Sequence, residues 1–294
     1  MNSSPTQIIG IASGKGGVGK TTISANIAVT LAARGNNVML FDADMGLANA
    51  QLALGCKAPF NFSHVLAGEK SLKEIIVEGP KGVKLVPGAS GIQRLASLSA
   101  TEVAGIIHSF SELEDELDYF IVDMAAGLSD SVMAFLAACQ HRFIVLKNEP
   151  SSIADAYATI KVMIQDYSLD NICVIPNGVL SQNEGRHLYR SINSVIKNFL
   201  GGEVNYLHSI SEDEMLLRAI KASQPKASTF FACAVLTTSQ KTLMPFAWAF
   251  SITSFGFPSE VMIKSTPNSQ QACNWFLYFK LDLLTIKLMP KAPL

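Results

Sequence analysis

Short apolar runs alternate with longer stretches of helical periodicity along residues 7–200. The apolar runs predict buried strands at residues 7–12, 37–44, 82–87, 119–123, 142–146 and 171–176. Apolar positions at helical spacing predict helices at residues 23–33, 99–116, 129–138, 152–167 and 184–200. Strands that are apolar on both faces are typical of a parallel sheet covered by helices on each side. The pattern therefore predicts an α/β fold with a doubly wound, mainly parallel sheet flanked by helices.

A glycine-rich loop joins the first predicted strand to the first predicted helix. Residues 14–21 fit the pattern G-x-x-x-x-G-K-[ST], in which successive backbone N–H groups converge on phosphate oxygens at a helix N-terminus. We expect Lys20 to reach the β- and γ-phosphates of a nucleotide and the Thr21 hydroxyl to hold Mg²⁺. The predicted nucleotide-binding residues of this loop are Gly14, Gly16, Gly17, Val18, Gly19, Lys20, Thr21 and Thr22.

Carboxylates end two of the apolar runs. Asp123 follows the apolar residues 119–122, which is the arrangement of a Walker B aspartate that holds Mg²⁺ through water. A helix cap or turn residue is the alternative interpretation of a strand-end aspartate. Asp42 and Asp44 lie two residues apart in an extended segment, so both carboxylates point the same way and repel each other unless a cation lies nearby. A solvated strand end is the alternative for this pair.

Composition narrows the class of protein. The formal net charge of −1 gives no overall basic field, so direct binding to nucleic acid is not predicted. The five cysteines are widely scattered, as expected for reduced cytosolic thiols, and Cys139 is interpreted as a buried small side chain. Neither a signal peptide nor a run of about 18 apolar residues is recognisable, so we predict a cytoplasmic protein.

Lys15 occupies a position that the general phosphate-loop pattern leaves free. The arrangement K-G-G-x-G-K-[ST], from Lys15 to Thr21, resembles the deviant Walker A loop of the MinD/ParA group of ATPases. The resemblance implies a slow ATPase that requires ATP and Mg²⁺ and forms a homodimer on ATP, with Lys15 reaching the partner's nucleotide. It also implies that Asp44 positions the attacking water and that Asp42 supports the same switch. Lys15, Lys20, Asp44 and Asp123 are thus the predicted catalytic residues.

Two further nucleotide contacts depend on the same resemblance. Asn177 follows the run 171–176 and is expected to read the adenine edge with its amide donor and acceptor. Glu149 matches a glutamate that lies near the ribose across the dimer. By residue type alone, a turn residue at Asn177 and a helix cap at Glu149 remain open.

Longer segments resemble the FleN/FlhG family of flagellar-number regulators. These segments are residues 40–50, 86–91, 121–128 and 149–158, and the match continues to about residue 222. The resemblance implies a dimeric ATP-dependent switch for flagellar number or placement. It implies an FlhF-like GTPase and a FleQ-like transcription activator as partners, and peripheral contact with the inner membrane at the cell pole. A MinD/ParA-type ATPase that positions a chromosome, plasmid or division site, a nucleotide-binding module without turnover, and a metabolic enzyme on the same scaffold remain alternatives.

The composition changes near Ala222. All six arginines precede this residue, and Gly256 is the single glycine after it. We predict a MinD-like P-loop domain in residues 1–222 and an atypical hydrophobic segment in residues 223–294. One hypothesis is that this segment is a frameshifted or otherwise foreign reading of the gene. The other is that it is a tail that associates with the membrane.

Overall fold

The computed structural model describes residues 5–44, 48–89, 100–111, 113 and 117–213. The predicted C-terminal segment 223–294 lies outside these residues, as do parts of the resembling segments 40–50 and 86–91.

Strands and helices alternate through the described part of the chain. The strands are β1 Gln7–Ser13, β2 Val38–Ala43, β3 Val77–Glu78, β4 Lys84–Val86, β5 Tyr119–Ala126, β6 His141–Leu146, β7 Ile172–Val179, β8 Asn205–Tyr206 and β9 Ile210–Ser211. The helices are α1 Lys20–Ala33, α2 Ala50–Leu54, α3 Phe62–Leu66, α4 Leu72–Ile75, α5 Ala100–Ser111, α6 Asp130–Ala138, α7 Pro150–Gln165 and α8 Gln182–Leu200. Among them, no helix is both long and apolar enough to cross a membrane.

One sheet organises these elements. Its strand order is β3-β4-β2-β5-β1-β6-β7-β8, and β9 pairs with β7. The β3–β4 pair is antiparallel, whereas the other pairs are parallel. The predicted doubly wound, mainly parallel sheet is therefore confirmed. β1 lies between β5 and β6, so the glycine-rich loop emerges near the middle of the sheet, where ligands of such folds bind.

The apolar runs form the core as predicted. β2 is buried along its whole length, and the Phe41 ring packs against Phe62 and Phe110 at centroid distances of 5.1 and 4.9 Å. Cys139 is also buried, which confirms its interpretation as a small interior side chain. The elements that sequence periodicity missed, α2, α3, α4, β3, β8 and β9, have two to five residues, too few to display a period.

Two strands run further than their apolar stretches. β5 continues to Ala126 because Ala126 pairs with Ser13 beyond an irregularity in β1, so Asp123 lies within the strand instead of ending it. β7 continues past Pro176 to Val179 because β9 pairs with Asn177 and Val179. Asn177 is therefore a strand residue, and the turn interpretation is wrong for it.

Candidate functional site

The glycine-rich loop connects β1 directly to α1. β1 ends at Ser13 and α1 begins at Lys20. Gly17 and Gly19 have φ angles of 75° and 102°, which glycine adopts without a steric penalty. The N-terminus of α1 thus opens at the carboxyl edge of the sheet, in the orientation that favours an anion.

Lys20 is buried at the base of this loop. Its relative exposure is 7%, and burial lowers the pKa of its ammonium group, while the charges of Asp123 and Asp44 act in the opposite direction. A buried ammonium ion is stable only beside anions. Lys20 therefore lies where nucleotide phosphates would add to the negative charge of Asp123 and Asp44.

Asp123 lies below the first turn of α1. Ser24, one turn after Lys20, donates its hydroxyl to Asp123 Oδ1 at 3.0 Å. Asp123 Oδ2 is buried and has no hydrogen-bond partner among the described residues. Burial raises the pKa of Asp123 to about 6, against the opposing effects of the Thr21 and Ser24 hydroxyls and of Lys20. An unpartnered carboxylate oxygen near the Thr21 hydroxyl fits the hard oxygen ligands that Mg²⁺ prefers.

Asp42 binds the backbone at both ends of the segment 44–50, which follows β2. Its Oδ1 accepts the Asp44 N–H at 3.3 Å, and its Oδ2 accepts the Ala50 N–H at 2.8 Å. Asp42 is buried and pairs with Asp123 in the β2–β5 register. Burial, followed by the nearby charge of Asp123, raises the pKa of Asp42 to about 8. Asp42 thus holds the backbone that carries Asp44.

These buried acids predict a pH dependence of stability. The folded-state pKa of Asp42, about 8, lies above its ordinary value of 3.8, so the folded state binds more protons than the unfolded state between these pH values. The contribution of the neutral Asp42 carboxyl to the stability of the folded state is therefore complete at low pH and is lost as the pH rises toward 8. We expect the free energy of unfolding of the nucleotide-free protein to fall between pH 5 and 8. Asp42→Asn should reduce this slope in urea titrations, and an unchanged slope would contradict the assignment.

Lys15 is held by the start of α7. Its Nζ donates to Glu149 Oε2 at 2.9 Å and to Ser151 Oγ at 2.8 Å. Glu149 occupies the N-cap position of α7 but makes no capping hydrogen bond with its side chain. Instead, the hydrogen bond and charge of Lys15 lower the pKa of Glu149. The structure therefore brings Lys15 and Glu149 together within one chain, and their predicted roles across a dimer remain predictions.

Asn177 also contacts the glycine-rich loop. Its Nδ2 donates to the Val18 carbonyl oxygen at 2.6 Å. A methyl group at Gly19 would lie 2.5 Å from the same Nδ2. Asn177 thus has a structural contact with the loop besides its predicted adenine contact.

Gly14 packs directly on α7, which predicts a selective loss of stability. A Cβ atom at Gly14 would overlap the Asp155 backbone carbonyl, whereas one at Gly16 would meet nothing within 4 Å. Gly14→Ala must displace α7 from the loop, at a cost of about 1–3 kcal/mol for overpacking. Gly16→Ala is the matched control and should unfold close to the wild type. Chemical denaturation of both variants measures the difference, and equal midpoints would show that α7 does not press on Gly14.

Sequence reasoning missed several residues of the site. Ser24 had a usable signal, because it lies four residues after Lys20 and hence on the same helix face. Ser151 and Gly88 had none. A Cβ atom at Gly88 would overlap the Asp42 carbonyl oxygen, a contact between segments that are distant in sequence.

Comparisons with known proteins agree with this geometry. Residues 9–225 match the CobQ/CobB/MinD/ParA nucleotide binding domain. The antiactivator FleN of Pseudomonas aeruginosa is 40% identical over 226 residues, which are 77% of this chain and 81% of FleN. The flagellum site-determining protein YlxH of Helicobacter pylori is 40% identical over 221 residues, 75% of this chain and 74% of YlxH.

Solved structures show the same fold. The cell division ATPase MinD of Pyrococcus furiosus aligns with a TM-score of 0.64 at 26% identity, over 80% of this chain and 98% of MinD. MinD of Pyrococcus horikoshii, solved with Mg-ADP, aligns with a TM-score of 0.64 at 25% identity, over 81% of this chain and 96% of MinD. The domain match, the two relatives and the phosphate loop lead to one conclusion: this chain belongs to the CobQ/CobB/MinD/ParA family of nucleotide-binding proteins.

Proposed function

We propose that this chain is an ATP-dependent, dimeric switch that regulates the number or placement of flagella. The observation that carries the proposal is the second lysine of the phosphate loop, Lys15, which lies at the same sheet edge as the buried cluster of Lys20, Asp42 and Asp123. The flagellar role is supported by the names of two relatives, FleN and YlxH, each 40% identical.

Each site residue has a separate role in phosphoryl transfer to water. Lys20 and the backbone N–H groups of the loop hold the phosphates, and Lys20 neutralises charge on the γ-phosphate. Thr21 and Asp123 would hold Mg²⁺, which neutralises the charge that develops on the phosphate oxygens. Asp44 orients the attacking water, and Asp42 fixes the backbone of Asp44 through the N–H contact at 3.3 Å.

The position of Lys15 supports slow turnover by the single chain. In the single chain its ammonium group is bound to Glu149 and Ser151, so these contacts must break before it can reach a second nucleotide. Pairing of two ATP-bound chains would move Lys15 across the interface and complete both sites. Hydrolysis would then separate the chains, which is the behaviour of a switch.

The output of the switch is a set of protein and membrane contacts. The partners we propose are an FlhF-like GTPase and a FleQ-like transcription activator, and the name antiactivator for FleN is consistent with the second. We place the protein in the cytoplasm, with peripheral contact at the inner membrane at the cell pole. We assign ATP-dependent pairing to residues 1–222. Residues 223–294 either form a tail that associates with the membrane or are a frameshifted or otherwise foreign reading of the gene, and an intact reading frame at the codons for Ala222 to Phe231 would reject the second hypothesis.

Deletion of the gene tests the biological assignment. We expect the number of flagella per cell, counted by electron microscopy, to change on deletion and to return when the gene is restored. An unchanged count would discard the flagellar role and favour a MinD/ParA-type ATPase that positions other cargo.

A biochemical experiment tests the switch separately. Light scattering of the purified protein should show ATP-dependent pairing, and phosphate release should accompany it. Pairing without phosphate release would identify a nucleotide-binding module. The absence of both pairing and phosphate release would refute the switch.

A further inference from the structure

Glu184 joins two loops at the carboxyl edge of the sheet. It lies in the first turn of α8, where its Oε1 accepts the Asn148 side-chain amide at 2.6 Å and its Oε2 accepts the Leu180 N–H at 2.7 Å. Asn148 belongs to the β6–α7 loop and Leu180 to the β7–α8 loop. A single carboxylate therefore fixes the distance between the two loops.

The β6–α7 loop and β7, the strand that leads into the β7–α8 loop, also contact the glycine-rich loop. The residue after Asn148 is Glu149, which holds the Lys15 ammonium group at 2.9 Å. Three residues before Leu180, Asn177 holds the Val18 carbonyl oxygen at 2.6 Å. The contacts thus form a continuous path from Lys15 through the β6–α7 loop, Glu184, Leu180 and the end of β7 back to Val18.

Helix capping explains only half of this arrangement. A glutamate in the first turn of a helix commonly accepts a backbone N–H from the residues that precede the helix, as Glu184 does from Leu180. Capping does not require the bond to Asn148, which lies 36 positions away in sequence. This second bond connects α8 to the segment that holds Lys15.

We propose that Glu184 is a positioning residue for Lys15. By holding Asn148, it keeps the β6–α7 loop where Glu149 and Ser151 can bind the Lys15 ammonium group in the unpaired chain. The inference rests on the proposed function only for what Lys15 does after its release. It also makes the hold on Lys15 sensitive to the β7–α8 loop, which directly follows the strand that carries the predicted adenine contact Asn177.

The acetylation rate of Lys15 measures this hold directly. An amine that is bound as an ammonium ion to a carboxylate reacts slowly with acetic anhydride, and peptide mass spectrometry gives the rate for each lysine. The experiment uses the full, nucleotide-free chain and five variants: Glu184→Ala, Asn148→Ala, the double variant of these two, Glu149→Ala and Glu203→Ala. Glu203 is the matched control, an exposed glutamate that pairs with Lys197 at 2.7 Å. Lys161, exposed on α7 beyond its first turns, is the internal reference.

The expected results are graded. Glu149→Ala should raise the Lys15 rate about two- to fivefold, the range that an exposed ion pair supports. Glu184→Ala and Asn148→Ala should each raise it about twofold, and the double variant no further, because both remove the same link. Glu203→Ala should leave it unchanged.

Three results would overturn the inference. These are a wild-type Lys15 rate in Glu184→Ala, a wild-type rate in Glu149→Ala, or a parallel rise at Lys161, which would indicate general loosening of α7. The outcome is separable from the proposed function, since a wild type that never pairs on ATP would refute the switch without altering these nucleotide-free rates.

Discussion

Lys15→Ala is expected to abolish ATP-driven pairing while leaving ATP binding by the single chain largely intact. In the single chain the Lys15 ammonium group contacts Glu149 and Ser151 on α7, at the rim of the site. Lys20, which is buried at the base of the phosphate loop, remains in place to hold the phosphates. Truncating a charged group that is buried in an interface weakens association by about 30-fold or more. Light scattering with ATP should therefore show a single chain where the wild type shows a pair.

Lys161→Ala provides the matched control for this variant. It removes one lysine from an exposed position of α7 and so changes the net charge equally. It should pair like the wild type. A Lys15→Ala protein that still pairs on ATP would refute the role of Lys15 across the interface, and one that no longer binds a fluorescent ATP analogue would place Lys15 in the same chain's site.

Asp44→Ala is expected to lower ATP turnover by about 10²-fold or more, the effect of removing a residue that positions a reacting water or takes its proton. Pairing on ATP should persist, because the variant keeps both lysines of the loop. The fold should also persist, since removing the charge of Asp44 relieves its repulsion of Asp42 and Asp123, which offsets the lost attraction for Lys20. We thus expect a stable pair that accumulates because it does not hydrolyse ATP.

Phosphate release and light scattering on the same samples separate these effects. Asp166→Ala, at the exposed C-terminal end of α7, is the control and should hydrolyse ATP at the wild-type rate. Undiminished phosphate release by Asp44→Ala would assign the water-positioning role elsewhere. A lower unfolding temperature than the wild type would show that the attraction between Asp44 and Lys20 outweighs the repulsion between Asp44 and the other two carboxylates.

Much of the fold was predictable because its signals are local. In the described region, each predicted apolar run contains a strand and each segment with helical periodicity contains a helix. A strand buried on both faces is continuously apolar, and a helix buried on one face has apolar residues at helical spacing, so both are visible in the residue order. The ends of strands were less predictable. β5 and β7 run beyond their apolar stretches because neighbouring strands supply hydrogen bonds there, and such pairing has no local signature.

In the candidate site, too, contiguous motifs were predictable from the sequence, whereas contacts between distant segments were not. The phosphate loop is a contiguous pattern, so Lys15, Lys20 and Thr21 could be identified without a structure. Asp42 and Asp123 could be identified as strand carboxylates, but their burial side by side could not, because it depends on the β2–β5 register. Gly88 shows the limit, since the need for a glycine arises from a backbone 46 positions away.

The sequence by itself determined that this protein has a nucleotide-binding α/β fold with a second loop lysine, because periodicity and a contiguous motif encode both. The tertiary structure alone decided what those residues touch. It showed that Lys15 binds Glu149, that Asn177 donates to the Val18 carbonyl oxygen, and that Glu184 accepts hydrogen bonds from two loops. Each contact joins segments that the sheet brings together from distant parts of the chain, and a hydrogen bond depends on position in space, which residue order does not specify.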